Sequence, residues 1–135
     1  MLFRSATENA IAAVGKILLF HKASVNVAEL LPMWLSWLPL KSDEMEAKVM
    51  HQQLLTYVQQ QEPAIMAATD LLIRAVACAL AGGAEDDAEE AMDLLAASTK
   101  DGFVAIVRQM PRERLAAVGA QLPPMAQQAL QEACS

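Results

Sequence analysis

Few side chains in this 135-residue chain could do chemistry, and their spacing does not assemble them. His21 and His51 are the only histidines and stand far apart, whereas a metal site needs three or four convergent ligands. Both are expected at helix ends or rims. Cys78 sits among Ala75, Val76, Ala77 and Leu80, an apolar setting with no charge to lower a thiol pKa, so it reads as a small core residue. With Cys134 it makes no disulfide framework, which suits a reducing compartment. Gly82-Gly83 precedes acidic residues and lacks a following Lys-Ser/Thr, so it is no phosphate loop. Ser24, Ser36, Ser42 and Ser98 have no nucleophile-elbow context. No carboxylate has an acid/base partner set by spacing. The residues therefore predict no catalytic, cofactor or metal site, and no enzyme.

What remains is recognition. The run Glu85, Asp86, Asp87, Glu89, Glu90 could clasp a basic segment by complementary potential. The simpler reading is a helix start with a solvated acidic face. Asp43, Glu44 and Glu46 carry the same two readings. Trp34 and Trp37 are spaced i,i+3 and share a helical face. They could anchor a partner, but packing between adjacent helix pairs is the simpler use of large aromatics.

The elements that would position these residues are helical. Apolar residues make up 55% and charged residues 19%, so disorder is not expected. Ala, Leu and Met dominate while strand formers are sparse. A formal charge of −6 argues against a nucleic-acid face. No apolar run free of charge reaches the roughly 20 residues of a membrane span.

Helix starts are legible. Ser5 with Glu8 is a capping box, and Asn26 with Glu29 is an Asn-led version. Ser42 can cap a helix whose first turn holds Asp43, Glu44 and Glu46. Pro63, Pro111 and Pro124 fit first-turn positions, and Gly82-Gly83 fits a helix stop. The pattern predicts seven helices over about 6–21, 27–38, 43–61, 63–81, 86–109, 111–121 and 124–134, with a kink at Pro32 and a possible break at Gly102. Asp70 and Arg74 have the i,i+4 spacing of a surface ion pair. Ala47, Met50, Leu54, Tyr57 and Val58 form one apolar stripe, and Met45 and Val49 outside it suggest a second contact. Helix starts recur at a spacing of roughly 40 residues, the range of paired-helix solenoids. The expected division is a half repeat at 6–21, repeats at 27–61 and 63–109, and a Gln-rich terminal cap at 111–134.

The residues then look familiar. Thr7-Glu8-Asn9-Ala10-Ile11-Ala12-Ala13-Val14-Gly15-Lys16-Ile17 is similar to the second helix of a late HEAT repeat in beta-karyopherins. The segment Val25-Asn26, Glu29-Leu30-Leu31-Pro32, Trp34-Leu35-Ser36-Trp37-Leu38-Pro39-Leu40 and Asp43-Glu44-x-Glu46-Ala47 resembles the penultimate repeat of the importin beta-3 (importin-five) subfamily. Val107-Arg108-Gln109 and the closing Pro-Met-Ala-Gln-Gln-Ala-Leu-Gln-Glu resemble the end of the same chains. The structural repeat motif is thus Asn26, Pro32, Trp34, Trp37 and Pro39. Met33 stands where relatives usually have His, and residues 48–106 match only in pattern.

The resemblance implies an all-α, right-handed α-α superhelix, a HEAT-repeat solenoid fragment of about seven helices in antiparallel pairs. It implies the C-terminal part of a nuclear import receptor that shuttles between cytoplasm and nucleus. Its implied partners are cargo proteins with basic signals, phenylalanine–glycine nucleoporins and the GTPase Ran, with no nucleic acid and no membrane. Ran is bound chiefly by N-terminal repeats that are absent here, and no cargo- or Ran-binding residue carries over. A solenoid cut before residue 6 would expose helix 6–21 and could dimerise through it. A free-standing helical adaptor is the alternative; it would close its core within the chain.

Overall fold

A computed structural model describes residues 2–84 and 90–135. The described residues form α1 (Leu2–Phe20), α2 (Val27–Ser36), α3 (Glu44–Gln59), α4 (Pro63–Met66), α5 (Thr69–Leu80), α6 (Ala97–Gln109), α7 (Arg112–Gly119) and α8 (Pro124–Cys134), with a 3₁₀ turn at Lys22–Ser24 and no strand. The helices stack in two layers. In one, α1, α3, α6 and α8 touch in that order; in the other, α2 packs on α4 and α5, and α5 on α7. The all-α architecture is consistent with a HEAT-repeat helical fragment. The core runs between the layers through Leu31, Trp34, Leu54, Leu72, Val76 and Phe103, all essentially inaccessible.

Local signals account for most boundaries. Asn26 caps α2, its side-chain oxygen accepting the Glu29 N–H at 3.3 Å, and α2 runs as one helix through Pro32. Pro63 and Pro124 sit in the first turns of α4 and α8. At the end of α5, Gly82 takes a left-handed φ of 68°, and the Gly83 N–H reaches back to the Cys78 carbonyl at 2.9 Å. That is a Schellman cap, for which glycine is the residue of choice. Gln61 closes α3 the same way with φ 54°, and the Glu62 N–H bonds the Tyr57 carbonyl at 3.0 Å.

Five expectations are corrected by the structure. Ser5 lies inside α1, and Glu8 is no capping-box acid. Its buried carboxylate instead accepts the backbone N–H groups of Lys41, at 2.8 and 2.9 Å, and Ser42, at 2.8 Å. Asp43, not Ser42, caps α3 by accepting from Met45 and Glu46. The helix expected over 63–81 divides where Ala68 leaves helical dihedrals (φ −101°, ψ 49°); the Thr69 hydroxyl bonds the Met66 carbonyl freed by the break. Of the helix expected over 86–109, residues 86–89 lie outside the described residues, 90–96 are not helical, and α6 begins at Ala97. Residues 90–96 are drawn out along α3: the Asp93 N–H donates to Glu44, the Leu94 carbonyl accepts from His51, and Leu94 is buried. Gly102 does not break α6; a Cβ there would meet the Leu55 side chain at 2.6 Å, so glycine permits close packing of α6 on α3.

The Glu8 contact yields a first prediction. Glu8→Ala strands two loop N–H groups that now have an acceptor. We expect a loss of about 2 kcal/mol in urea unfolding, and a smaller loss for Glu8→Gln, which keeps one acceptor oxygen.

Candidate protein-binding groove

The second layer is indented between α4–α5 and α7. The break at Ala67-Ala68 leaves small residues where α4 turns into α5, and Pro111, expected in a first turn, stands instead as the residue just before α7, directly after Met110. The result is a groove of about 560 Å³ lined mainly by Met66, Ala68, Leu71, Met110 and Pro111. At its mouth the Arg114 guanidinium donates to the Asp70 carboxylate. Both side chains are about half exposed, so the pair fixes α5 against α7 more than it stabilises the fold. The expected Asp70–Arg74 pair does not form: Arg74 instead donates to the Ser36 carbonyl at 3.1 Å. The last carbonyls of α2 lack helical partners and attract a cation. A methionine-lined apolar groove with one polar edge adapts to side chains of varied shape. Sequence reasoning missed it, although Met110-Pro111 and the nearly all-apolar 63–81 segment were its traces.

The two tryptophans part company. Trp34 is fully buried, edge-on to Tyr57 with ring centroids 5.8 Å apart. Trp37 is 41% exposed, because α2 ends at Ser36 and the shared helical face ends with it. Met33 and Met66 are also exposed in this layer. On α3, Met45 and Val49 make no second contact among the described residues; they are 81% and 56% exposed.

The acidic candidates are mostly occupied. Glu44 accepts the Asp93 N–H at 2.7 Å, Glu46 lies 3.7 Å from Lys16, and Lys48 pairs with Asp93 at 2.8 Å. Glu90 is exposed; Glu85, Asp86, Asp87 and Glu89 lie outside the described residues. Cys78 is partly buried against the core, and Cys134 is exposed.

His21 is exposed after α1, as expected. His51 is not at a rim: it is buried in the middle of α3. Its Nε2 accepts the Leu40 N–H at 3.1 Å, and its Nδ1–H donates to the Leu94 carbonyl at 2.9 Å. Burial pushes its pKa down to about 4, against a smaller opposite effect of the Leu94 carbonyl. The ring is therefore neutral and structural. Among the described residues, no three His, Cys, Asp or Glu side chains could hold a metal ion, and no helix is long and apolar enough to cross a membrane.

No protein-family model matches the chain, and no solved structure matches it. Over 100 residues, 74% of its length, it is 30% identical to the probable importin subunit beta-4 of Schizosaccharomyces pombe. It spans only 9% of that protein. The similarity, carried by a chain of paired, stacked helices, supports kinship with the importins.

Proposed function

We propose that the chain is a C-terminal segment of an importin-type nuclear transport receptor, of the beta-3 subfamily, and acts as a protein-binding scaffold without catalysis. The observation that carries the receptor reading is the 30% identity to an importin subunit over three-quarters of the chain; the beta-3 assignment rests on the resemblance of residues 25–47 alone. The paired-helix stack and the repeat motif around Trp34 agree with it. On this reading the protein shuttles between cytoplasm and nucleus, and the division into repeats at 27–61 and 63–109 with a cap at 111–134 holds. Cargo, nucleoporins and Ran are then partners of the whole receptor.

The groove at Met66, Leu71 and Met110 is the surface of this chain best suited to a bulky side chain of an extended peptide. Fluorescence anisotropy with a labelled phenylalanine–glycine nucleoporin peptide tests it. We expect weak saturable binding, reduced at least 10-fold by Met66→Asp with Met110→Asp at unchanged helicity. Absence of binding to that peptide and to a basic import-signal peptide would remove the groove as a recognition site of this segment for either partner.

α1 also presents Ile17, Leu19 and Phe20 to solvent. With Ala10 and Ala13, Ile17 and Phe20 form a stripe at 3- and 4-residue spacing opposite the buried Ile11, Ala12 and Leu18. Such a stripe packs against another helix. In isolation the chain is expected to pair with a second copy through it. Sedimentation over a rising concentration series should show a dimer that Phe20→Asp abolishes.

A further inference from the structure

The loop that joins α2 to α3 is held from two sides. From α3, buried His51 accepts the Leu40 N–H at 3.1 Å. From α1, buried Glu8 accepts the Lys41 and Ser42 N–H groups. Three consecutive backbone donors therefore tie the loop to two different helices. His51 has a second bond, to the Leu94 carbonyl at 2.9 Å, and the two bonds respond oppositely to a proton. The Leu94 contact uses an N–H the ring already carries. The Leu40 contact uses the ring's lone pair. A proton on Nε2 leaves two donors facing each other, so the loop must turn away while the Leu94 contact survives.

We propose that residues 38–43 form an acid-released latch, in which protonation of His51 expels Leu40 and so opens the seam between α1 and α3. At its Glu8 end the seam is held through the loop, where Glu8 has its three hydrogen bonds; further along α1, Gln53 of α3 donates directly to the Gly15 carbonyl at 2.9 Å, and Lys16 lies 3.7 Å from Glu46, so release of the loop opens the Glu8 end first. Among the described side chains, the charged ones on the elements around the ring are Glu8 and Lys16 of α1, Lys41 and Asp43 of the loop, Glu44, Glu46 and Lys48 of α3, Glu90 and Asp93 of the following segment, and Lys100, Asp101 and Arg108 of α6. Both ring hydrogen bonds nevertheless go to backbone groups, and the Phe103 ring lies beside the imidazole at 6.5 Å between centroids. The ring thus resists protonation until the seam opens.

The sign follows. An opened His51 takes a proton below its ordinary pKa of 6.5, whereas the closed one does so only near 4. Closure is therefore favoured above pH 6.5 and loses ground as the pH falls toward 4. The open population should rise about 30-fold between pH 7.5 and pH 5.0.

Hydrogen–deuterium exchange of the full chain at those two pH values tests this, with His51→Gln beside the wild type at each pH to cancel intrinsic exchange rates. Glutamine can accept from Leu40 and donate to Leu94 but does not titrate. Protection over 7–21 and 38–43 should fall about 30-fold more in the wild type than in H51Q, with no difference over 112–134. An equal pH response in both proteins, or a uniform loss along the chain, would overturn the proposal. Should H51Q not fold, the wild-type imidazole ¹⁵N shifts decide. Protonation accompanied by selective exposure of the Leu40 amide supports the latch; a ring that stays neutral until the whole chain unfolds refutes it. The proposal is independent of the transport reading, and neither outcome bears on that reading.

Discussion

Trp34→Ala should lower the unfolding free energy by about 4 kcal/mol, the range for emptying a large aromatic from a core. The ring is wholly buried and meets Tyr57 edge-on. It also fills the space over Gly15, where a Cβ would come within 2.9 Å of the indole nitrogen and 2.6 Å of the Met50 sulfur. α1, α2 and α3 meet at this point, so no small movement of one helix can refill the hole. Domains of this size are stable by about 5–15 kcal/mol, and the variant should approach the folding threshold. Trp34→Phe is the discriminating companion. Among the described residues the buried indole N–H has no hydrogen-bond partner, so Phe loses contact area but removes an unsatisfied donor. We expect a loss nearer 1 kcal/mol. Urea denaturation followed by circular dichroism measures both. If Ala and Phe were equally harmful, shape at this junction would matter more than volume.

Gly82→Ala is the second large effect, expected at about 3 kcal/mol. The residue must hold φ 68° to end α5, a left-handed conformation that costs a residue with a Cβ about 1–2 kcal/mol. The added Cβ would also lie 2.7 Å from the Met92 carbonyl oxygen and 2.8 Å from its nitrogen. Backbone cannot step aside, and the displaced group is the one whose N–H bonds the Gly82 carbonyl at 3.0 Å. Gly83 is the control. Its φ is 76°, but its Cβ would press closely only on the Lys41 side chain, at 3.1 Å, with Leu94 Cδ1 at an ordinary contact distance of 3.5 Å. The Lys41 side chain can move, so Gly83→Ala should cost about 1 kcal/mol. A thermal melt separates the two readily; equal shifts would show that backbone strain alone sets the cost.

Neither effect could be ranked from residue types. Gly82 and Gly83 are alike as a helix stop, and the difference lies in what approaches them from residue 92 and residue 41. Trp34 and Trp37 are likewise equivalent by spacing, yet one is core and the other is left outside by the end of α2. The acids show the same limit. Asp43, Glu44 and Glu46 were legible as a favourable helix start, but not as the partners of Met45, Asp93 and Lys16.

By itself the sequence determined that the chain is helical, where most helices start and stop, and that it resembles the importins. The helicity and the boundaries follow from short-range physics: propensity, caps, prolines, and the 3.6-residue period of apolar positions act within one turn or along one helix face; the resemblance rests on the particular residues of segments such as 25–47. Tertiary structure alone decided the rest. It unwound residues 90–96 against their acidic helix-start signal, because Leu94 gains burial and His51 and Glu44 satisfy the exposed backbone. It moved Glu8 from a cap of its own helix to an anchor for a loop more than 30 residues away. It buried His51, and it opened the methionine-lined groove where α4 breaks into α5. Each of these depends on groups far apart in sequence meeting in a low-dielectric interior, where an unpaired donor is expensive and the nearest acceptor in space prevails over the nearest in sequence.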